Sequence, residues 1–320
     1  MGRHHGRIFT QQVKGAAIVA LCDPNAENLT RYQREIFDPV SQRPATFADY
    51  RQMLADVEMD AVVIVTPHTQ HFAQAMDSLA AGCNVLLEKP MVTAVAHARA
   101  LIACARQKKR IVSVAFPGAF TPEFAYIRRL VTRGELGAVR LVDAFSVQNW
   151  LKATIGTWRQ DPKLSGGGQA YDTGAHMFFG ILYLTDLQPL EVFAMVDHCG
   201  TPVDINSVAT IKLAGGAIAT ATVSGADVCR WDNAIYLSGK DASVRTGIHG
   251  GRLEQWNAHG DLVKYPPVTP VPFLQQAFVD CVNGRIENIC PPLWGLRHAQ
   301  LMDAFYKSAR TGKPAKIAPE

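Results

Sequence analysis

Four uninterrupted apolar runs in the first third of the chain limit its fold more than any other feature. They occupy residues 16–22, 61–65, 84–87 and 111–115. A run of Val, Ile, Leu and Ala without polar alternation is the mark of a strand buried on both faces, which points to a parallel sheet. Helical stretches lie between the runs. Residues 71–82 carry Phe72, Ala75, Met76 and Leu79 at helical spacing before a Gly82 stop, and residues 93–108 are rich in Ala and Leu with basic residues in the last turn. Strand–helix alternation of this kind predicts a doubly wound α/β domain. Each strand hands over to a polar or proline-containing turn: Asp23-Pro24, Thr66-Pro67, Glu88-Lys89-Pro90 and the stretch before Pro117. In open parallel sheets, those carboxyl-end turns are where ligands bind.

The pattern changes near Gly118. Residues 123–132 read as a helix, and Gly134-Glu135-Leu136-Gly137 as a turn. Strands then lengthen and alternate at 139–146, 190–195, 207–213, 217–223 and 233–238. Thr210, Lys212, Thr220 and Thr222 interleave with apolar residues, as in a sheet with one solvated face, and Gly215-Gly216 marks a hairpin. Residues 272–310 read as helical. The expected division is therefore a dinucleotide-binding domain over 1–117 and an α+β domain over 118–320.

Composition narrows the function. A length of 320 residues suits about two domains. A net charge of +4, evenly spread, argues against nucleic-acid or anionic-membrane partners. No apolar run reaches the ~18–20 residues of a membrane span, and no apolar segment follows Met1 as in a secretory signal. The seven scattered cysteines contain no C-x-x-C and fit free thiols in a reducing cytoplasm.

A dinucleotide-binding domain ordinarily opens with a strand, G-x-G-x-x-G and a helix. Here a helical stretch follows Met1 directly, so Gly2 reads as the last glycine of that fingerprint, the first strand being absent. The expectation is one of two: either Met1 falls within the glycine-rich loop and the first strand and its two glycines are encoded upstream, or the chain folds poorly and binds NAD weakly. Asp23 ends the next run ~20 residues on, where a ribose-binding acid belongs, although Asp23-Pro24-Asn25 is equally an ordinary turn. Lys89 in Glu88-Lys89-Pro90 can polarise a carbonyl or relay a proton, or be half of a solvated pair. The segment from Gly166 to His176 is denser. Asp172 and His176 stand four apart, so on a helix they share a face and the carboxylate can orient the imidazole; a buried structural pair is the alternative. His68 and His71 straddle a helix start, where they contact a nucleotide or cap. No third residue accompanies them as a metal ligand, so no metal is expected. Trp150, Trp158 and Arg159 are candidates to face a substrate, although tryptophans are more often core residues.

Together these pieces resemble the Gfo/Idh/MocA oxidoreductases, nearly end to end. The resemblance rests on Asp23-Pro24-Asn25, Asp49-Tyr50 with Met53-Leu54, Thr66-Pro67-His68 with His71, and Ala81-Gly82 leading to Glu88-Lys89-Pro90-Met91. It continues through Gly134-Glu135-Leu136-Gly137, Trp158-Arg159-Gln160-Asp161-Pro162, the Gly166–His176 segment and Ser308-Ala309-Arg310-Thr311-Gly312-Lys313-Pro314. It implies a Rossmann domain, then a domain with a large, mostly antiparallel sheet, assembled as a homodimer or homotetramer. It also implies NAD(P)-dependent hydride transfer on a sugar, cyclitol or related polyol, with NAD expected ahead of NADP. Lys89 and His176 would transfer the proton, and Asp172 would position the substrate. Gly2, Asp23, Thr66, Pro67, His71, Glu88 and Lys89 would line the cofactor, with a cis bond before Pro90. Where many members carry an acid three residues after the histidine, this chain has Phe179, which leaves the substrate open. Two rival readings stand beside this one: an enzyme using NAD transiently for glycoside cleavage or epimerisation, and a truncated nucleotide-binding protein without catalysis.

Overall fold

The computed structural model describes residues 1–228 and 231–318. The first half contains α1 (Gly2–Gln11), β1 (Ala20–Cys22), α2 (Ala26–Tyr32), β2 (Ala45–Phe47), α3 (Tyr50–Asp56), β3 (Ala61–Ile64), α4 (His71–Ala80), β4 (Asn84–Glu88), α5 (Val95–Lys108) and β5 (Val112–Ala115). All their strand pairings are parallel, as the apolar runs predict. Helix starts follow local chemistry. Asn25 and Asp49 accept the amides of Glu27 and Arg51, satisfying donors that the first turn leaves free.

The parallel sheet is in two pieces. β1 pairs with β2, and β3, β4 and β5 pair in that order; among the described residues no ladder joins β1 to β3. Of the run over 16–22, only Ala20–Cys22 forms a strand. β2 was invisible in the sequence because its three residues, Ala45-Thr46-Phe47, are too few to show a period. β4 is buried throughout, while β1 and Ala61, Val62 and Val63 of β3 are only partly buried. The free edge of each piece thus coincides with the less buried strands.

The second half begins with α6 (Pro122–Thr132), capped by the Thr121 hydroxyl. It continues with β6 (Val139–Gln148), α7 (Trp150–Ala153), α8 (Pro162–Ser165), α9 (Gly174–Thr185), β7 (Pro189–Asp197), β8 (Asn206–Leu213) and β9 (Ile218–Ser224). The last elements are β10 (Trp231–Gly239), β11 (Ser243–Thr246), β12 (Leu253–Trp256), α10 (Leu274–Val282), α11 (Pro292–Thr311) and β13 (Ala315–Lys316). Eight strands form one sheet in the order β12-β11-β10-β6-β9-β8-β7-β13, antiparallel except for β6 beside β9. β8 alternates strictly between buried and exposed, the expected one-wet-face pattern. The helical reading of 272–310 was too simple. Gly284 adopts φ 70° and Pro291-Pro292 follow, so the stretch breaks into α10 and α11.

α9 is apolar on all sides and almost wholly buried between α6, α11 and the large sheet. One continuous core therefore joins the two halves, running from Leu86 and Val114 through Phe116 and Phe179 to Ile211 and Leu237. The carboxyl ends of β3 and β4 face the start of α9 across this seam, and that juxtaposition sets the candidate site.

Candidate active site

Lys89 leaves the end of β4 just before the cis Lys89–Pro90 bond. Its ammonium donates to the Asp172 carbonyl and to Oδ1 of the Asp172 carboxylate, each at 2.8 Å. The other oxygen, Oδ2, accepts from Trp150 Nε1 and Arg159 Nε at 2.9 Å. Burial works to raise the Asp172 pKa, yet the Lys89 and Arg159 charges hold it far below the usual carboxylate range. Asp172 is therefore an ionised hub with both oxygens committed.

This geometry corrects the sequence expectation for Asp172 and His176. α9 begins only at Gly174, and Asp172 lies in the turn ahead of it, so the two do not share a helical face. The carboxylate turns toward Lys89, and the buried Nδ1 of His176 has no hydrogen-bond partner. Burial first, then the Lys89 and His249 charges, push the His176 pKa well below that of a free histidine. At neutral pH its imidazole is uncharged and able to accept a proton.

The three glycines ahead of Asp172 have a structural task. Gly166 caps α8 at φ 73°, and a Cβ on Gly168 would collide with the Asp204 carbonyl. Asp204 holds this segment through the amides of Gly168, Gln169 and Ala170. The close approach is thus to protein backbone, and it fixes where Asp172 emerges.

The other predicted residues divide into those open to the site and those that brace it. His71 is fully buried, with its two ring nitrogens 2.9 Å from the carbonyls of Pro90 and Thr66. It ties the Thr66-Pro67 turn to the Lys89-Pro90 turn and has no free edge for a cofactor. Glu88 is also buried: one oxygen meets His5 Nε2 at 2.8 Å and the other accepts the Lys89 amide at 3.1 Å. Although burial raises its pKa, the His5 hydrogen bond and neighbouring cations lower it overall. His5, which carries no motif in the sequence, also meets Gln275 Nε2 at 3.1 Å. Thr66 and Pro67 are half-buried at the end of β3, with the Thr66 hydroxyl on Gln74. His68 donates from Nδ1 to the Ser165 carbonyl and packs edge-on against Trp158 at 4.8 Å, so it supports the loop carrying Arg159. Arg159 lies over the Trp158 ring, partly exposed. Trp150 is buried behind Asp172 and does not face a substrate.

A dinucleotide fits the residues at the other end of the seam. His4 and His5 are the first amides of α1 bonded within the chain, both to the Met1 carbonyl, which leaves Gly2 and Arg3 at a free helix N-terminus. His5 in the first turn of α1 meets Glu88 beside Lys89, so the start of α1 lies against the same site. A Cβ on Gly6 would clash with the Tyr32 hydroxyl, so close packing of α1 on α2 needs that glycine. Asp23, half-buried at the end of β1, already accepts the Asn25 amide and Asn28 Nδ2, at 2.8 and 3.1 Å. Its remaining lone pairs are the ones a ribose would use.

Two histidines that the sequence reading passed over complete the surroundings. His249 stands with its ring centre 4.4 Å from that of His176, and His298 lies against Phe116 and Tyr171 with a buried, unpartnered Nε2. The sequence signal for His249 was its place in Gly247-Ile248-His249-Gly250-Gly251, a lone polar ring in a glycine-rich turn. His298, inside an apolar helix, offered none. Among the described residues no three His, Cys, Asp or Glu side chains gather to hold a metal ion.

A split parallel nucleotide-type domain, a large mixed sheet and a Lys–Asp–His cluster between them define the class. Residues 1–116 match the model of the oxidoreductase family with an NAD-binding Rossmann fold, GFO_IDH_MocA, and residues 124–245 match the GFO/IDH/MocA C-terminal domain. The chain belongs to the GFO/IDH/MocA oxidoreductase family. It is 26% identical over 245 residues to a trans-1,2-dihydrobenzene-1,2-diol dehydrogenase of Danio rerio, covering 76% of this chain and 71% of that one. It is 33% identical over 154 residues to a D-xylose 1-dehydrogenase (NADP(+)) of Hypocrea jecorina, covering 46% of this chain and 39% of the relative, so that match spans well under half of the relative's length. The WlbA dehydrogenase of Bordetella pertussis, solved with NADH and UDP-GlcNAcA, shares the fold at a TM-score of 0.84 and 21% identity, covering all of this chain and 96% of that one. No described helix is long and apolar enough to cross a membrane.

Proposed function

We propose that this chain is an NAD(P)-dependent dehydrogenase of a secondary alcohol on a sugar, cyclitol or related polyol, with NAD preferred. The observation that carries this reading is the Lys89 ammonium fixed on Asp172, four residues ahead of the unpartnered Nδ1 of His176 and across the seam from the start of α1. A bound nicotinamide supplies the hydride acceptor. The protein's part is alignment and deprotonation. His176 accepts the hydroxyl proton. Lys89 spends two of its three N–H groups on Asp172 and keeps one for the oxygen that gains negative charge. Asp172, with Trp150 and Arg159, fixes that ammonium in place. Gly2 and Arg3 would meet the pyrophosphate, Asp23 the adenosine ribose, and Thr66, Pro67 and Lys89 the nicotinamide end. The relatives' names, a diol and a xylose dehydrogenase, support an alcohol on a ring substrate.

The test is NADH formation with a panel of sugars, inositols and cyclic diols, comparing the parent with His176→Ala and Lys89→Met. Each variant should lose roughly 10²–10⁴-fold in kcat while its NADH affinity stays within a few-fold. A His176→Ala protein that turns over at the parental rate across pH 6–9 reassigns His176 to structure.

A further inference from the structure

The second half of the chain brings one group to His176 that the chemistry above does not use. His249 sits at the tip of the β11–β12 connection, and the turn beneath it is pinned. The Ile248 amide donates to Asn233 Oδ1 at 2.8 Å, the Gly250 amide donates to the Gly247 carbonyl at 3.0 Å, and the Ile248 side chain is fully buried. Gly250 adopts φ 75°, and a Cβ there would stand 2.6 Å from Glu123 Oε2 and 2.8 Å from Thr121 Oγ1. Only glycine fits both the conformation and the space. The turn therefore holds His249 in one place.

What it carries is an exposed imidazole. The His249 ring meets that of His176 nearly perpendicular, at 72°, and makes no hydrogen bond to another described residue. On the other side, Trp231 lies parallel to it at 6.1 Å and 12°, itself 44% exposed. The pair therefore forms one wall at the entrance to the site. Crowding by neighbouring atoms, then the Lys89 charge, bring the His249 pKa down to about 4, so at neutral pH its ring offers one donor and one acceptor and no charge. The Asp172 and Glu88 carboxylates are already committed, Asp172 to Lys89, Trp150 and Arg159, and Glu88 to His5 and the Lys89 amide. Phe179 stacks face to face on Phe116 at 4.1 Å and offers no polar group. His249 is thus an uncommitted polar ring beside His176.

We propose that His249 is a specificity-determining residue that hydrogen-bonds the hydroxyl next to the one oxidised at His176, so that the preferred substrate is a ring bearing a vicinal diol with its apolar face on Trp231. Two hydrogen-bonding rings this close reach neighbouring oxygens of one small ring, not oxygens across it. A site built to pair with a hydroxyl discriminates strongly against the analogue lacking it, because the protein's own group is left unpaired.

This inference rests on the dehydrogenase reading, and the experiment separates the two. The parent, His249→Leu and His249→Gln are assayed by cofactor reduction with trans-1,2-cyclohexanediol and cyclohexanol, and in parallel with glucose and 2-deoxyglucose. The parent should favour the diol of each pair. His249→Leu should lose roughly 10–100-fold in kcat/KM for the diol and stay within about two-fold for the partner lacking the second hydroxyl. His249→Gln, which keeps a donor and an acceptor, should recover part of the loss. Equal losses on both members of a pair, or no loss on the diol, overturn the role of His249. A parent that binds NADH and reduces cofactor with none of these or any other alcohol overturns the dehydrogenase reading itself, and the inference with it.

Discussion

Replacing Asp172 by Asn tests the centre of the site most directly. The side chain is 11% exposed, and its carboxylate is the partner of two cations and one indole N–H, all within 2.9 Å. The amide is nearly isosteric, but it carries no charge and turns an N–H toward one of those donors. Removing one member of a buried ionic cluster typically costs ~3–5 kcal/mol, because the remaining charges stay desolvated and unpaired. Lys89 is as buried as Asp172, whereas Arg159, at 32% exposure, can reach water, so most of the cost falls on Lys89. The loss should therefore lie near the lower end of that range, and Lys89→Met in the same chain should return more than ~1 kcal/mol of it. Urea denaturation of the parent, both single variants and the double variant closes the cycle. If Asp172→Asn costs less than ~1 kcal/mol, or if the two substitutions simply add, the cluster does not hold Lys89, and the positioning argument fails.

Acid should weaken the fold through its buried histidines. Burial brings His68 and His298 each down to about 3, so between that value and ~6.5 the unfolded chain binds more protons. Their contribution is intact above pH ~6.5 and falls away below it, by about 2 kcal/mol per group at pH 5; thermal melts at pH 7.5 and 5 check this, and an unchanged Tm refutes it. Hydrogen exchange should open β1 and β2 before β3, β4 and β5, since a two-stranded ladder of three residues each is marginal alone; equal protection of Leu21 and Leu86 would contradict that order. Asp23→Ser should raise the kcat/KM ratio of NADP to NAD at least ~10-fold by removing the repulsion a 2′-phosphate would meet. An unchanged ratio would leave Asp23 as a turn residue, held by Asn25 and Asn28.

What the sequence settled by itself was local. Residues 84–87 and 111–115 had to be buried strands, because runs dominated by Val, Leu, Ile and Ala, with a single polar residue each, have no polar face to turn to water. Gly215-Gly216 announced the β8–β9 hairpin. The position of Lys89 at a strand end followed from the same logic. The partners of the site residues were a different matter. Asp172 and His176 are four apart, yet the helix begins between them, and the carboxylate follows cations supplied by residues 89 and 159. The split between β1 and β3 depends on which strands find ladder partners, and His71 is a brace because two distant turns converge on it. His249 reaches His176 across 73 residues of chain because β10 and β11 pair and Gly250 bends the turn. Periodicity and caps are set within a few residues, where sequence is legible. Charge pairing and ring contact at the site are set by which segments the shared core presses together, and only the tertiary structure decides that.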